Sequence, residues 1–404
     1  MELSVDVLEV IYSQLDNDED RLNFRKMCRA TIRFTQIVSN PNILEIMQKY
    51  SKCIFTHLKA TCKQDLMHVH VTRLTCNDLQ LTELLDMPLV ELNYSVNLIT
   101  QLPDMPRLIK LNCSGNRLTQ LPHMPLLTKL QCSGNQLTQL PDMPLLTELT
   151  CNDNKLTQLP YMPRLIKLDC INNRLAQLPH MPQLTELNCN CNHITQLPNM
   201  PLLTILNCSY NQLTQLPDMP QLVTLNCYDN RLTQLPDMPQ LVTLNCYDNR
   251  LIQLPNMSQL IELNCNYNNL TQLPNMPLLK NLHCSCNLIT QLPDMSQLRL
   301  LYCYSNRLTQ LPNMPLLTEL NCNYNQLTQL PYMPQLIRLD CNSNQLIQLP
   351  DMPHLISLCC SNNQLTQLSN IQLLLYLVCI NNQLTQLPDM PRLKILHCSN
   401  NKLI

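Results

Sequence analysis

The chain of 404 residues has little charge and almost no glycine. Its only two glycines, Gly115 and Gly134, are too few for a glycine-rich loop that cradles a phosphate. Charged residues make up 14% of the chain, the formal net charge is -2, and no basic run or stripe is visible along the sequence. Neither nucleic acid nor an anionic membrane surface is therefore expected as a partner.

Other absences narrow the function further. No apolar run approaches the roughly 20 residues that a membrane span needs. The opening residues, Met1 to Asp6, contain neither the basic nor the apolar region of a secretory signal, so we expect a cytoplasmic protein, with the nucleus as a second location. No serine, cysteine or histidine with an oriented base emerges, and no paired-carboxylate cleft. We expect a protein that is not an enzyme and that has no cofactor and no small-molecule substrate.

One repeat dominates the sequence. Cysteine recurs every nineteen residues from Cys113 to Cys398, and an asparagine follows each of these cysteines three residues later, from Asn116 to Asn401. The unit reads L-x-C-x-x-N-x-L-T-Q-L-P-x-M-P-x-L-x-x. A fixed period of this length predicts a solenoid, in which chain length counts repeats rather than globular domains.

The spacing of apolar residues changes once in each repeat. Leu121, Met124 and Leu127 are three residues apart, which is typical of polyproline II, whereas Leu130 and Cys132 are two apart, as in a strand. The two prolines of each L-P-x-M-P segment exclude a helix there, so we expect a short strand and an extended arc per repeat. A β-helix of hexapeptides is disfavoured, because nineteen is not a multiple of six.

The pattern Leu108-x-x-Leu111-x-Cys113-x-x-Asn116-x-Leu118 resembles the leucine-rich repeat, with Cys where Leu is more usual. The resemblance implies an α+β fold: a leucine-rich repeat solenoid of about 18 repeats over residues 74–404, after a small helical domain. Its parallel sheet would line the concave face and its polyproline II-like arcs the convex face. Such a shape implies a docking surface for another protein.

The repeated cysteines and asparagines have structural interpretations. Sixteen of the 23 cysteines fall at inward-facing strand positions, where we expect Cys to act as a small hydrophobe. The asparagine amide is expected to satisfy backbone groups where the strand turns into the arc. Cys191 and Cys286, with His193 and His283 close in sequence, offer no second converging ligand pair, so no metal site is expected.

The first 73 residues differ from the repeats. They contain all three phenylalanines, and apolar residues at helical spacing after Ser4 predict a first helix, followed by a second helix with an acidic start at Asp18-Glu19-Asp20. We divide this part into a helical domain at residues 1–40 and a connector and cap at residues 41–73.

Residues 1–40 resemble the F-box. The pattern Leu3-x-x-Asp6-Val7-Leu8-x-x-Ile11-x-x-x-Leu15 matches its opening helix, and Asp20-Arg21-Leu22 with Met27-Cys28-Arg29 resembles its middle helix. Ser4 stands where the family usually has proline. The alternative is that these helices only cap the open end of the solenoid.

The whole chain resembles F-box/leucine-rich repeat proteins, and its near-identical short repeats resemble those encoded by giant amoeba-infecting DNA viruses. The resemblance implies a substrate receptor of a cullin-based ubiquitin ligase, with the adaptor protein bound by the N-terminal helices and the target by the concave face. The expected adaptor-binding residues are Leu3, Val7, Leu8, Ile11, Leu15 and Leu22. A ligase-independent binding scaffold and a structural or virion protein remain open as alternatives.

Tyrosine gives the best surface hint for the target. Seven tyrosines fall at or beside the predicted strands within a short stretch of repeats, and tyrosine offers a large contact area at small entropy cost. The expected target-binding residues are Tyr210, Tyr228, Tyr247, Tyr267, Tyr302, Tyr304 and Tyr324. An equally weighted interpretation is that these rings stack on one another and stiffen the sheet. Charges before the strand Leu alternate in sign, as in Lys129, Glu148 and Lys167, which does not suit a phosphate polymer.

Overall fold

A computed structural model describes residues 54–60, 69–75, 77–84 and 89–403, with side chains from residue 73 onward. The predicted F-box helices of residues 1–40 lie outside these described residues, and so do the adaptor-binding predictions Leu3, Val7, Leu8, Ile11, Leu15 and Leu22. The chain divides into two compact units, residues 1–184 and 185–404, which we call unit one and unit two.

Unit one is a parallel β-solenoid that begins with an antiparallel hairpin. The first strand, Ile54–Ala60, pairs with the second, Val69–Thr75, in antiparallel register, and each later strand of the unit pairs in parallel with the one before it. Its strands are β1 Ile54–Ala60, β2 Val69–Thr75, β3 Glu91–Asn93, β4 Lys110–Asn112, β5 Lys129–Gln131, β6 Glu148–Thr150 and β7 Lys167–Asp169. Because β1 runs along β2, the described part of the sheet starts with an antiparallel strand.

Unit two repeats the parallel arrangement without a hairpin in its described residues. Every strand pairs in register with its neighbours in the unit, so that equivalent residues of successive repeats stack in columns. The strands are β8 Glu186–Asn188, β9 Ile205–Asn207, β10 Thr224–Asn226, β11 Thr243–Asn245, β12 Glu262–Asn264, β13 Asn281–His283, β14 Leu300–Tyr302, β15 Glu319–Asn321, β16 Arg338–Asp340, β17 Ser357–Cys359, β18 Tyr376–Val378 and β19 Ile395–His397.

The core follows the predicted spacing of three and then two. In the repeat around β11, Met238, Leu241, Leu244 and Cys246 are all buried, and the two residues that flank Leu244 on the strand are partly exposed. We call the cysteines that recur from Cys113 to Cys398 the ladder cysteines, and the asparagines three residues after them the ladder asparagines. The strand face consists of the flanking positions together with the residue just after each ladder cysteine.

The arcs differ in one respect from the expected extended segment. The described residues contain no helix, as predicted from the prolines, but each arc has one tight turn. In a typical case the Leu241 amide donates to the Met238 carbonyl at 3.1 Å, with Pro239 between them. Proline suits this position because its fixed φ matches the second residue of a β-turn.

The ladder cysteines are core residues, as expected. Burial raises the pKa of the Cys246 thiol to about 12, so the thiol stays neutral at physiological pH. A neutral buried thiol is a small apolar group and a poor nucleophile.

The ladder asparagines confirm their predicted task. The Asn249 amide group donates to the Cys246 carbonyl of its own repeat at 3.3 Å and to the Cys227 carbonyl of the previous repeat at 3.0 Å. Its Oδ1 accepts from the Leu232 amide at 3.0 Å. The same amide group also donates to the Tyr247 carbonyl at 3.3 Å. One buried side chain thus satisfies four backbone groups and joins two repeats.

We expect Asn249→Ala to lower the free energy of unfolding by about 3 kcal/mol, because it leaves buried backbone groups without partners. The midpoint of urea unfolding, followed by circular dichroism, measures the loss. The matched control is Asn256→Ala, on an exposed arc position, which should change the free energy of unfolding by less than about 0.5 kcal/mol. Equal midpoints for the two variants would contradict the structural role of the ladder.

Candidate functional site

The strand face of unit one is charged and internally paired. Glu91 lies 3.2 Å from Arg73 and 3.0 Å from Lys110, and Lys129 lies 2.7 Å from Glu148. These pairs join neighbouring strands and are partly exposed, so each contributes little to stability. Their main consequence is that no single sign of charge dominates this part of the face.

The strand face of unit two is largely uncharged. From β9 to β14 the first strand position carries one charged residue, Glu262. The last strand position is asparagine in five successive strands, from Asn188 on β8 to Asn264 on β12. Several of these amides brace the chain that follows, as when Asn245 Oδ1 accepts from the Tyr247 amide at 3.3 Å. The strand positions beside the tyrosines are therefore polar and mostly uncharged, whereas Asp229 and Asp248 lie two residues after their cysteines.

Five of the seven predicted target-binding tyrosines form one group, which we call the tyrosine cluster: Tyr210, Tyr228, Tyr247, Tyr267 and Tyr304. Two pairs of rings meet edge to face, Tyr210 with Tyr228 at 4.7 Å between centroids and Tyr247 with Tyr267 at 5.3 Å. Hydrogen bonds with the side chains of Cys286 and Tyr304 raise the pKa of Tyr267. The interpretation that the tyrosine rings stack on one another therefore applies to two pairs, Tyr210 with Tyr228 and Tyr247 with Tyr267.

The other two tyrosines lie apart from this cluster. Tyr302, on β14, contacts the His283 ring at 4.8 Å and donates its hydroxyl to Glu319 Oε2 at 3.2 Å. Burial lowers the pKa of His283, so the imidazole in this group is held in its neutral form. Tyr324 projects into solvent with 64% of its surface exposed.

A strained backbone position, which the sequence reasoning missed, carries three of the tyrosines. The residue two after each ladder cysteine has a positive φ, and we call this the turn column. Tyr210, Tyr267 and Tyr324 occupy it with φ of 51°, 55° and 54°. A bulky residue in this conformation costs of order 1–3 kcal/mol. The two glycines, Gly115 and Gly134, occupy the same column, where they fit without strain. Their presence in the sequence was the feature from which a position with positive φ could have been predicted.

A basic column was also missed. Four residues after the ladder cysteine, seven repeats carry Lys or Arg and none carries Asp or Glu. The members are Arg117, Lys155, Arg174, Arg231, Arg250, Arg307 and Lys402. They are at least nineteen residues apart in sequence, so no basic run appears along the chain. Only two pairs of them, Lys155 with Arg174 and Arg231 with Arg250, lie on adjacent repeats, and uncharged residues or histidine interrupt the column elsewhere.

No cluster is formed by the four candidate metal ligands, Cys191, Cys286, His193 and His283. Cys191 and Cys286 both lie in the turn column, whereas His283 lies on β13 against Tyr302. Among the described residues no three His, Cys, Asp or Glu side chains are placed to hold a metal ion.

The described part of the chain includes no helix long and apolar enough to cross a membrane.

We expect Tyr324→Asn to raise the free energy of unfolding by about 1 kcal/mol, because asparagine tolerates the left-handed backbone that tyrosine resists. Denaturant unfolding of the variant and the parent measures the gain. Tyr332→Asn is the matched control, since Tyr332 is similarly exposed at 60% but lies on an arc without a positive φ. A loss of stability in Tyr324→Asn, or an equal gain in the control, would contradict strain at this position.

Comparison with known proteins identifies the fold family. YopM from Yersinia enterocolitica is 31% identical with a TM-score of 0.54, and the match covers 81% of this chain and 90% of YopM. A domain of InlJ from Listeria monocytogenes, described as including a cysteine ladder, is 30% identical with a TM-score of 0.61 over 74% of this chain and 69% of InlJ. YopM from Yersinia pestis, described as a leucine-rich effector protein, is 29% identical with a TM-score of 0.54 over 81% of this chain and 89% of its own. No protein-family model and no curated protein matches the sequence. With its nineteen-residue leucine and cysteine repeats in parallel register, this chain belongs to the leucine-rich repeat proteins.

Proposed function

We propose that this chain is a protein-binding scaffold and that the tyrosine cluster of unit two contacts the bound protein. The observation that carries the proposal is the strained placement of two members of the cluster, Tyr210 and Tyr267. Each is exposed by 46% or more, and each stands in a column where glycine, asparagine or aspartate would cost less. Strain of this kind that adds exposed aromatic area suggests a role outside folding.

The chemistry around these tyrosines favours a protein ligand. Tyrosine supplies a large, rigid contact area with a hydroxyl, and neighbouring asparagine and serine supply adaptable hydrogen bonds. Strands β9 to β12 present asparagine and threonine beside these tyrosines, with Glu262 as the one charged residue on the strands themselves. Solenoids of stacked repeats commonly use such an extended face for binding.

A more specific role rests on the sequence of residues 1–40. We propose that these residues act as an F-box, which binds the adaptor of a cullin-based ubiquitin ligase through Leu3, Val7, Leu8, Ile11, Leu15 and Leu22. The chain would then be a target receptor without catalytic residues of its own. The resemblance of the repeats to those of giant amoeba-infecting viruses suggests the cytoplasm or nucleus of a host cell as its location.

Chemical crosslinking in eukaryotic lysate tests the binding face. We expect the full chain to form a specific crosslinked protein complex that the double variant Tyr210→Asn/Tyr267→Asn loses at least tenfold, because both substitutions remove exposed rings and suit the backbone. The control is Tyr161→Asn/Tyr332→Asn, which removes two tyrosines of 59% and 60% exposure from the arcs. A complex that survives Tyr210→Asn/Tyr267→Asn, or is lost equally with the control, would place the interface elsewhere.

A separate pair of substitutions tests the ligase role. Leu8→Asp/Ile11→Asp in the full chain should abolish co-purification of the cullin adaptor, because it puts charge into the predicted apolar contact. The far-ultraviolet spectrum of the repeats should stay unchanged. If the adaptor is absent with the parent chain, or retained with the variant, the receptor role is wrong and the binding scaffold stands by itself.

A further inference from the structure

We infer that the tyrosine cluster, whose role as the target-binding surface is itself proposed above, binds a cationic side chain, a lysine or arginine of the target. The site consists of the two edge-to-face tyrosine pairs and the two carboxylates between them, Asp229 and Asp248. The inference concerns the chemical class of the ligand at this surface.

Four successive repeats of unit two bring these groups together. The turn column there reads Tyr210, Asp229, Asp248 and Tyr267. Backbone hydrogen bonds join the adjacent repeats here: the Tyr210 amide donates to the Tyr228 carbonyl, just before Asp229, and the Asp229 amide to the Tyr247 carbonyl, just before Asp248, both at 3.0 Å. Two carboxylates therefore stand side by side, about 4.8 Å apart at the backbone, with an exposed tyrosine on either side.

The two carboxylates are exposed and not neutralised by the protein. Within the described residues, no Lys, Arg or His nitrogen lies within 4.0 Å of the Asp229 or Asp248 carboxylate. Arg231 and Arg250 follow each of them by two residues, beyond the buried ladder asparagines, and pair with neither. Like charges on adjacent repeats repel, so this arrangement costs free energy that a bound cation would offset.

The aromatic side chains add a second attraction for a cation. Tyrosine rings bind ammonium and guanidinium groups through their faces, by about 0.5–2 kcal/mol depending on desolvation. The half-buried rings of Tyr228 and Tyr247 lie beside the acids: burial and then the negative charge of Asp248 raise the pKa of Tyr247. The methylene stem of a lysine or arginine can pack on these rings while its charged end meets the carboxylates.

An apolar or acidic ligand fits less well. An apolar segment would desolvate Asp229 and Asp248 without pairing them, and an acidic segment would add to the repulsion. The combination of exposed acids with aromatic faces therefore selects for positive charge, whereas the tyrosines alone would not.

The direct test uses defined peptide probes and the full chain. Fluorescein-labelled Gly-Ser peptides carry a central Arg-Lys-Arg, or norleucine or glutamate at the same three positions, and binding is followed by fluorescence anisotropy. We expect only the basic peptide to bind, and to bind more weakly as salt rises. Failure of the basic peptide to bind, or equal binding of the norleucine peptide, would overturn the inference.

Substitutions identify the site. Asp229→Asn/Asp248→Asn should weaken the basic peptide at least about tenfold, and the fold should persist because asparagine already occupies the turn column at Asn172 and Asn362. The control Asp218→Asn/Asp237→Asn makes the same charge change on exposed arc positions and should leave affinity within about twofold. Equal effects of the two double variants would reduce the binding to non-specific charge attraction and overturn the site.

This test separates the ligand class from the proposed function. If the crosslinked protein of the preceding section is lost with Tyr210→Asn/Tyr267→Asn but kept with Asp229→Asn/Asp248→Asn, the cluster binds a target without reading its charge. The binding function then stands and the inference of a cationic ligand fails.

Discussion

The constraint on which the structure depends is the need to satisfy backbone groups where a strand of only three residues ends. Such a strand pairs few of its neighbours' amides and carbonyls, and the chain must then turn away inside a packed core. The ladder asparagine meets this need with one side chain, which joins a buried amide of the previous arc to carbonyls of two repeats. Nearly every repeat keeps the residue, because each unmet buried group would cost about 1–3 kcal/mol.

The ladder asparagine also determines the backbone conformation of the residue before it. For its amide to reach back to the cysteine carbonyl, the preceding residue adopts a left-handed backbone, and that residue then points outward. The turn column has a positive φ in every repeat that contains a ladder cysteine, and in most of them its residue is exposed. Glycine, asparagine and aspartate occupy it at little cost in much of the chain. The three tyrosines there destabilise the fold, and each adds an exposed aromatic ring to the surface.

The sequence predicted the periodic part of this molecule well because each periodic feature has a local cause. The spacing of Leu and Cys predicted the strand, and the prolines excluded a helix. The asparagine that recurs three residues after each cysteine predicted hydrogen bonds from its side chain to the backbone. The sequence did not predict relations between repeats: which rings meet edge to face, and which carboxylates have no cation beside them. Tyr302 and Tyr304 are two residues apart in sequence, yet the first belongs with His283 and the second with Tyr267. A side chain's neighbours in a solenoid are set by its column, and proximity along the chain is a poor guide to them.

Residues 218–236 and 237–255 are nearly identical and differ only at Thr233 and Ile252. This duplication places two carboxylates, Asp229 and Asp248, beside the tyrosine cluster. A copied repeat places every residue beside its own duplicate. Tyr228 and Tyr247 therefore occupy equivalent positions on adjacent repeats, and so do Asp229 and Asp248. The duplicated tyrosines each meet a different ring edge to face, Tyr228 with Tyr210 and Tyr247 with Tyr267. For the aspartates the duplication creates repulsion, since like charges on adjacent strands are destabilising. In unit one the charges on neighbouring strands are mostly of opposite sign and pair directly. The duplicated carboxylates lack such partners, and a ligand of positive charge would stabilise this part of the fold as it binds.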